Sequence, residues 1–98
     1  MSNSEINKVK ELTEKIESNT ASFTEYQEYQ NILVQYGISQ DMIDNELAEG
    51  NVKKITDLFL LRKTASDDRK KQINRFVVTG IVGLGLGLLL YWSSKRND

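Results

Sequence analysis

From Phe76 to Trp92 the chain reads Phe-Val-Val-Thr-Gly-Ile-Val-Gly-Leu-Gly-Leu-Gly-Leu-Leu-Leu-Tyr-Trp, 17 residues without a charge. The chain as a whole is 28% charged, so this run is a sharp break in composition. As a helix at ~1.5 Å per residue it is about 26 Å long, slightly short of a hydrocarbon core of roughly 30 Å. Arg75 before it and Lys95 and Arg96 after it can extend to the headgroups and cover the difference. Tyr91 and Trp92 fall where an interfacial aromatic belt sits. Strongly apolar residues, at ~0.3 to 0.6 kcal/mol each, favour insertion, and Phe76, Val77, Val78, Ile81, Val82, Leu84, Leu86, Leu88, Leu89 and Leu90 supply them here. The alternative is a core helix of a soluble bundle. The remaining chain is too short and too polar to enclose such a helix on all sides. The run therefore reads as a C-terminal membrane anchor.

Charge is unevenly distributed around it. Residues 1–61 carry five basic side chains against eleven acidic ones, a net of −6. Residues 62–75 carry six basic side chains against two acidic ones, a net of +4, and the tail adds +1. The bias towards the N-terminal flank places that side in the cytoplasm by the positive-inside rule. The expected organisation is an acidic cytoplasmic helical head over 1–63, a basic collar over 64–75, a membrane helix over 76–92 and a short tail over 93–98. The flanks suit a bacterial plasma membrane and a mitochondrial outer membrane equally.

The head reads as all-α. The chain contains no proline, and strand-like alternation is weak. Ser2 with Glu5, and Ser22 with Glu25, are spaced as capping boxes for two helices. Gly37 suits the left-handed residue that closes the second, and Ser39 caps a third that ends at Gly50. Asn51 is expected to cap a fourth helix carrying Val52, Ile55, Leu58, Phe59 and Leu61. Thr64-Ala65-Ser66 breaks the chain, and a last helix runs from about Asp67 through Ser93. Three to four short helices and one long apolar one make up the expected architecture.

Few residues point to chemistry. Cysteine and histidine are both absent, which removes thiolate zinc sites and the commonest general base and metal ligand. No Ser-x-x-Lys and no phosphate-binding glycine loop occur. The chain therefore reads as non-enzymatic, with no cofactor, metal, nucleic acid or small-molecule substrate.

Three candidate contact features remain. Thr79, Gly80, Gly83 and Gly87 share a helical face, and small residues let membrane helices approach closely. That face is expected to meet a second copy of the chain or another membrane helix, while Gly85 lies off it. Arg69, Lys70, Lys71 and Arg75, with Tyr91, Trp92, Lys95 and Arg96, form the membrane-surface set. Glu25, Glu28, Asp41, Asp44, Glu46 and Glu49 lie in a stretch without positive charge and could dock a basic partner.

The segment Tyr29 to Leu61 has Tyr36-Gly37-Ile38-Ser39 in one loop and Gly50-Asn51-Val52 before a helix ending Asp57-Leu58-Phe59-Leu60. It is similar to the ubiquitin-associated three-helix domain. Gly37 matches that family's loop, and Tyr36 and Ile38 depart from it. The resemblance implies a three-helix arrangement for this third of the chain.

The function expected is that of a tail-anchored membrane adaptor or accessory subunit, in contact with lipid and with a partner helix. The competing expectation is a small membrane-permeabilising protein, similar to holins and small toxins, that oligomerises through its glycines.

Overall fold

Four serines start four of the helices. In the computed structural model, which describes residues 1–96, the side chains of Ser2, Ser22, Ser39 and Ser66 each accept the backbone N–H three residues on. Each bond satisfies one of the donors that a helix start leaves without a partner. Glu5 and Glu25 return a carboxylate to the backbone N–H of Ser2 and Ser22 at 2.9 and 3.0 Å, completing both capping boxes. These caps open α1 (Asn3–Glu17), α2 (Phe23–Gln35), α3 (Gln40–Ala48) and, after α4 (Ile55–Thr64), α5 (Asp67–Gln72). From α5 the chain continues through a π-helical stretch (Ile73–Val78) into α6 (Thr79–Arg96). Among the described residues there is no strand. Residues 97 and 98, the end of the expected tail, lie outside the described residues.

The first three helices stop by one device. Asn19, Gly37 and Asn51 take positive φ values of 62°, 116° and 58°. The residue after each donates its N–H to a carbonyl five residues back: Thr20 to Lys15, Ile38 to Leu33, Val52 to Leu47. This is the Schellman closure, which only glycine or asparagine enters cheaply. Asn51 therefore closes α3 and does not cap α4. The fourth helix starts at Ile55, with Lys54 in the cap position and no side-chain cap bond. It ends at Thr64, Ala65 is extended, and Ser66 caps a new helix. The fourth helix and the apolar helix are thus separate.

Val9, Leu12 and Ile16 of α1, Tyr26, Tyr29 and Leu33 of α2, Ile43 and Leu47 of α3, and Ile55 and Leu58 of α4 are buried. So are Ile73, Val77, Val78, Ile81, Val82 and Leu88. The core does not stop at residue 63. It takes in one side of the C-terminal helix, which packs most extensively along α1 and also against α3 and α2. The head covers that helix on one side only, leaving Phe76, Leu86, Leu90 and Tyr91 exposed.

The π-helical stretch matters for this packing. In a straight α-helix Ile73 and Ile81, eight residues apart, would point about 80° away from each other. The wider turns between them bring both to the head, at 1% and 0% exposure. The carbonyl of Asn74 accepts the backbone N–H of Thr79 and also its hydroxyl, the latter at 3.0 Å. The helix from Asp67 to Lys95 is 29 residues long and at ~1.5 Å per residue measures about 44 Å. It accounts for the long dimension of the molecule, 47 Å against 24 and 19 Å.

Leu58 is fully buried and Leu60 is 51% exposed on the same helix. Leu58→Ala should destabilise the full chain by about 2 to 5 kcal/mol, whereas Leu60→Ala should change it by no more than about 0.5 kcal/mol. Urea unfolding followed by circular dichroism measures both.

Candidate helix-docking site

The residues that join head and C-terminal helix centre on Tyr29. Its ring is buried in α2, and its hydroxyl donates to the backbone carbonyl of Ile81 at 2.7 Å. Burial, only partly offset by the neighbouring Thr13 hydroxyl, pushes the Tyr29 phenol up to about 12, so it stays a donor at any physiological pH. The approach is possible because residue 85 has no side chain. A Cβ there would lie 2.8 Å from Thr13 Oγ1 and 2.9 Å from Tyr29 Cζ, closer than packed atoms tolerate. Thr13 itself turns its hydroxyl to the carbonyl of Val9 at 2.7 Å, so little room is left.

The glycines thus divide into two sets. Gly85 packs tightly against α1 and α2, and Gly80 touches the carboxylate end of Glu46. Around Gly83 and Gly87 nothing lies within 4 Å of an added Cβ. Thr79 is exposed as well. The four positions that share a face in the sequence therefore differ in their surroundings: Gly80 lies against Glu46 of the head, whereas Thr79, Gly83 and Gly87 are exposed.

At the far end Trp92 stacks edge-on against Tyr36, ring centroids 5.8 Å apart, and its indole N–H points to the Tyr36 carbonyl at 3.4 Å. At the near end Val77 packs against Gly50. Contacts with the head therefore run along the whole apolar run.

The charged sets are similarly divided. Lys15 meets Glu25 at 2.7 Å and Lys8 meets Glu28 at 3.5 Å, so two of the six acidic candidates tie α1 to α2. The Lys15 ammonium and the Ser22 backbone hold the Glu25 carboxyl below its ordinary value. Asp41, Asp44 and Glu49 are exposed on or beside α3. Asp44 accepts a bond from Gln40 at 2.9 Å. In the collar, Arg69 donates to the Gly50 carbonyl at 2.6 Å, satisfying an acceptor at the end of α3, as cationic side chains near helix C-termini do. Lys70 is half-buried, and Lys71 and Arg75 are exposed. Arg75 lies over the Phe76 ring at 5.4 Å and Lys95 over the Tyr91 ring at 4.8 Å. Arg96 is the last residue of α6.

Arg62 is a functional-looking residue that sequence reasoning missed. Counted there only among the six basic charges of residues 62–75, it is 4% exposed. Its guanidinium donates to the carbonyls of Ile16 and Glu17 and to the Tyr26 hydroxyl. It caps the C-terminus of α1, where a positive charge meets the negative end of the helix dipole. Beside it lies a cleft of about 450 Å³ whose other wall is Val78, Val82, Gly83 and Leu86 of the C-terminal helix. Among the described residues no three His, Cys, Asp or Glu side chains gather as a metal site.

Comparison with protein-family models, with curated proteins and with solved structures gives no match. For the segment similar to a ubiquitin-associated domain, the three helices are present, but the main packing partner of α3 is the C-terminal helix.

The two glycine sets respond oppositely to one added methyl group. Gly85→Ala forces Tyr29 and Thr13 apart and should cost roughly 1 to 3 kcal/mol. Gly83→Ala meets open space and should stabilise by about 1 kcal/mol through helix propensity. Urea unfolding of the full-length variants in aqueous buffer reads the sign of each.

Proposed function

We propose that this chain is a non-enzymatic, membrane-anchored adaptor or accessory subunit that holds an acidic helical head at a cytoplasmic membrane face. The observation that carries the reading is the helix Asp67–Lys95, long and apolar enough to cross a membrane, with only 33% of its most apolar stretch buried inside the fold. A soluble bundle of this size has no use for so large an exposed apolar face. Phe76, Leu86 and Leu90 form that face, and lipid suits it. Basic residues at one end and Tyr91, Trp92 and Lys95 at the other match the two interfaces of a bilayer.

Two surfaces remain for partners. Thr79, Gly83 and Gly87, exposed along the helix, suit close approach of a second membrane helix, from another copy or from a different protein. Asp41, Asp44 and Glu49, exposed at α3, suit a basic surface in the cytoplasm. Around these exposed carboxylates salt screens strongly, so the acidic surface guides encounter more than it holds a complex.

Orientation follows from the bias of basic residues towards the N-terminal flank of the apolar run. Six basic residues lie between positions 62 and 75, against Lys95 and Arg96 beyond the apolar run. The absence of cysteine makes the test direct. On intact cells an impermeant thiol reagent should label the Ser94→Cys variant, and should label Ser4→Cys only after permeabilisation. Labelling of Ser4→Cys from outside would overturn the orientation, and equal labelling of both on intact cells would overturn the anchor.

A further inference from the structure

We infer that the C-terminal helix has two alternative seats, the groove of its own head in water and the lipid bilayer, and that insertion into lipid opens the groove. The inference rests on the membrane reading above and adds its regulation.

The helix cannot occupy both seats at once. Its head contacts run from Val77 at Gly50 to Trp92 at Tyr36, the full length of the apolar run. A bilayer around residues 76–92 would have to surround whatever is docked there. The helix most closely docked is α1, which carries Glu5, Lys8, Lys10, Glu11, Glu14, Lys15 and Glu17. Charges of that density do not enter hydrocarbon. The docked helix is therefore a water form, and entry into lipid requires that α1, α2 and α3 let go.

The packing is built for release as well as for contact. Polar links between head and apolar run are few: Tyr29 to the Ile81 carbonyl, and Trp92 to the Tyr36 carbonyl. Most of the remaining contact is apolar side chain against apolar side chain, Val77, Ile81 and Leu88 against the core of the head, and lipid replaces such contacts at little loss. In water, by contrast, leaving the groove exposes both surfaces, so the helix stays docked. The extended link at Ala65, between α4 and α5, supplies a joint between head and helix. After release, the side of the head that held Val77, Ile81 and Leu88 is an apolar groove on the cytoplasmic face, and the switch consists of its exposure.

A disulfide tests this in the full chain, which has no cysteine of its own. A Cβ at position 80 lies 3.4 Å from Glu46 Cγ, within the reach of a sulfur bridge, so Glu46→Cys combined with Gly80→Cys locks the helix to α3. The oxidised double variant should stay in the aqueous phase when mixed with vesicles of phosphatidylcholine and anionic phosphatidylglycerol. Reduced, it should bind them at least about tenfold better. Vesicle binding by both forms to the same extent would overturn the inference, as would a bridge that fails to form in water. A reduced chain that stays off the vesicles would overturn the membrane reading itself, and so is distinct from equal binding. Single variants check the same claim without a crosslink. Gly85→Ala, which crowds the docked seat, should bind vesicles more readily than the natural chain, and Gly83→Ala, equally hydrophobic, should bind as the natural chain does. Identical gains from both would contradict competition between the two seats.

Discussion

A short acidic head closes its core on the side of one apolar helix, and everything else in the molecule depends on that contact. The helices of the head are 9 to 15 residues long, lengths at which isolated helices are marginal and tertiary packing decides. Ile73, Val77, Val78, Ile81, Val82 and Leu88 supply that packing from outside the head. At its centre the absence of a side chain at Gly85 lets Tyr29 reach the Ile81 carbonyl. A buried hydroxyl without such an acceptor would be costly, so this bond fixes the depth at which the helix sits.

The same helix turns a different chemistry outward. Phe76, Thr79, Gly83, Leu86 and Leu90 recur at spacings of three and four, the repeat of a helix–helix seam. Gly83 stands open on this side, with nothing within 4 Å of an added Cβ. A membrane helix has lipid on all sides unless partners cover it, and a core helix has protein on all sides. Here one face is in the core and one is free, which accounts for why the composition of the run alone reads as fully membrane-embedded. The proposal of two seats follows from taking both faces seriously.

Much of this was legible in the sequence because local chemistry decided it. The capping boxes at Ser2 and Ser22, the cap at Ser39 and the left-handed Gly37 are set by residues within a few positions, and tertiary structure had no reason to override them. The all-helical class and the long C-terminal helix followed from the same signals. Asn51 is ambiguous in the sequence because asparagine serves both at helix starts and in left-handed turns, and the choice is made by where Val52 is buried. A uniform 3.6-residue period groups Gly80 with Gly83 and Gly87. That grouping has no way to include Glu46, brought to Gly80 by the packing of α3. The tight packing at Gly85 depends on Tyr29 and Thr13, distant in sequence. Arg62 did leave a trace: it continues the Ile55 and Leu58 stripe at helical spacing, which marked it as inward-facing despite its charge. Arg69 left none, since its partner, the Gly50 carbonyl, belongs to a helix end that only the fold brings near.

The central claim is that the C-terminal helix resides in lipid with its aromatic end at the interface. Trp92 is the only tryptophan in the chain and is half-buried against Tyr36 in the docked form, so its fluorescence reports directly on where the helix sits. In the presence of vesicles, Trp92 emission should be quenched by lipids brominated close to the headgroup and much less by lipids brominated at the chain ends. Emission that is unchanged by vesicles and insensitive to bromine at either depth would contradict the account, because Trp92 would then still lie against Tyr36 in water.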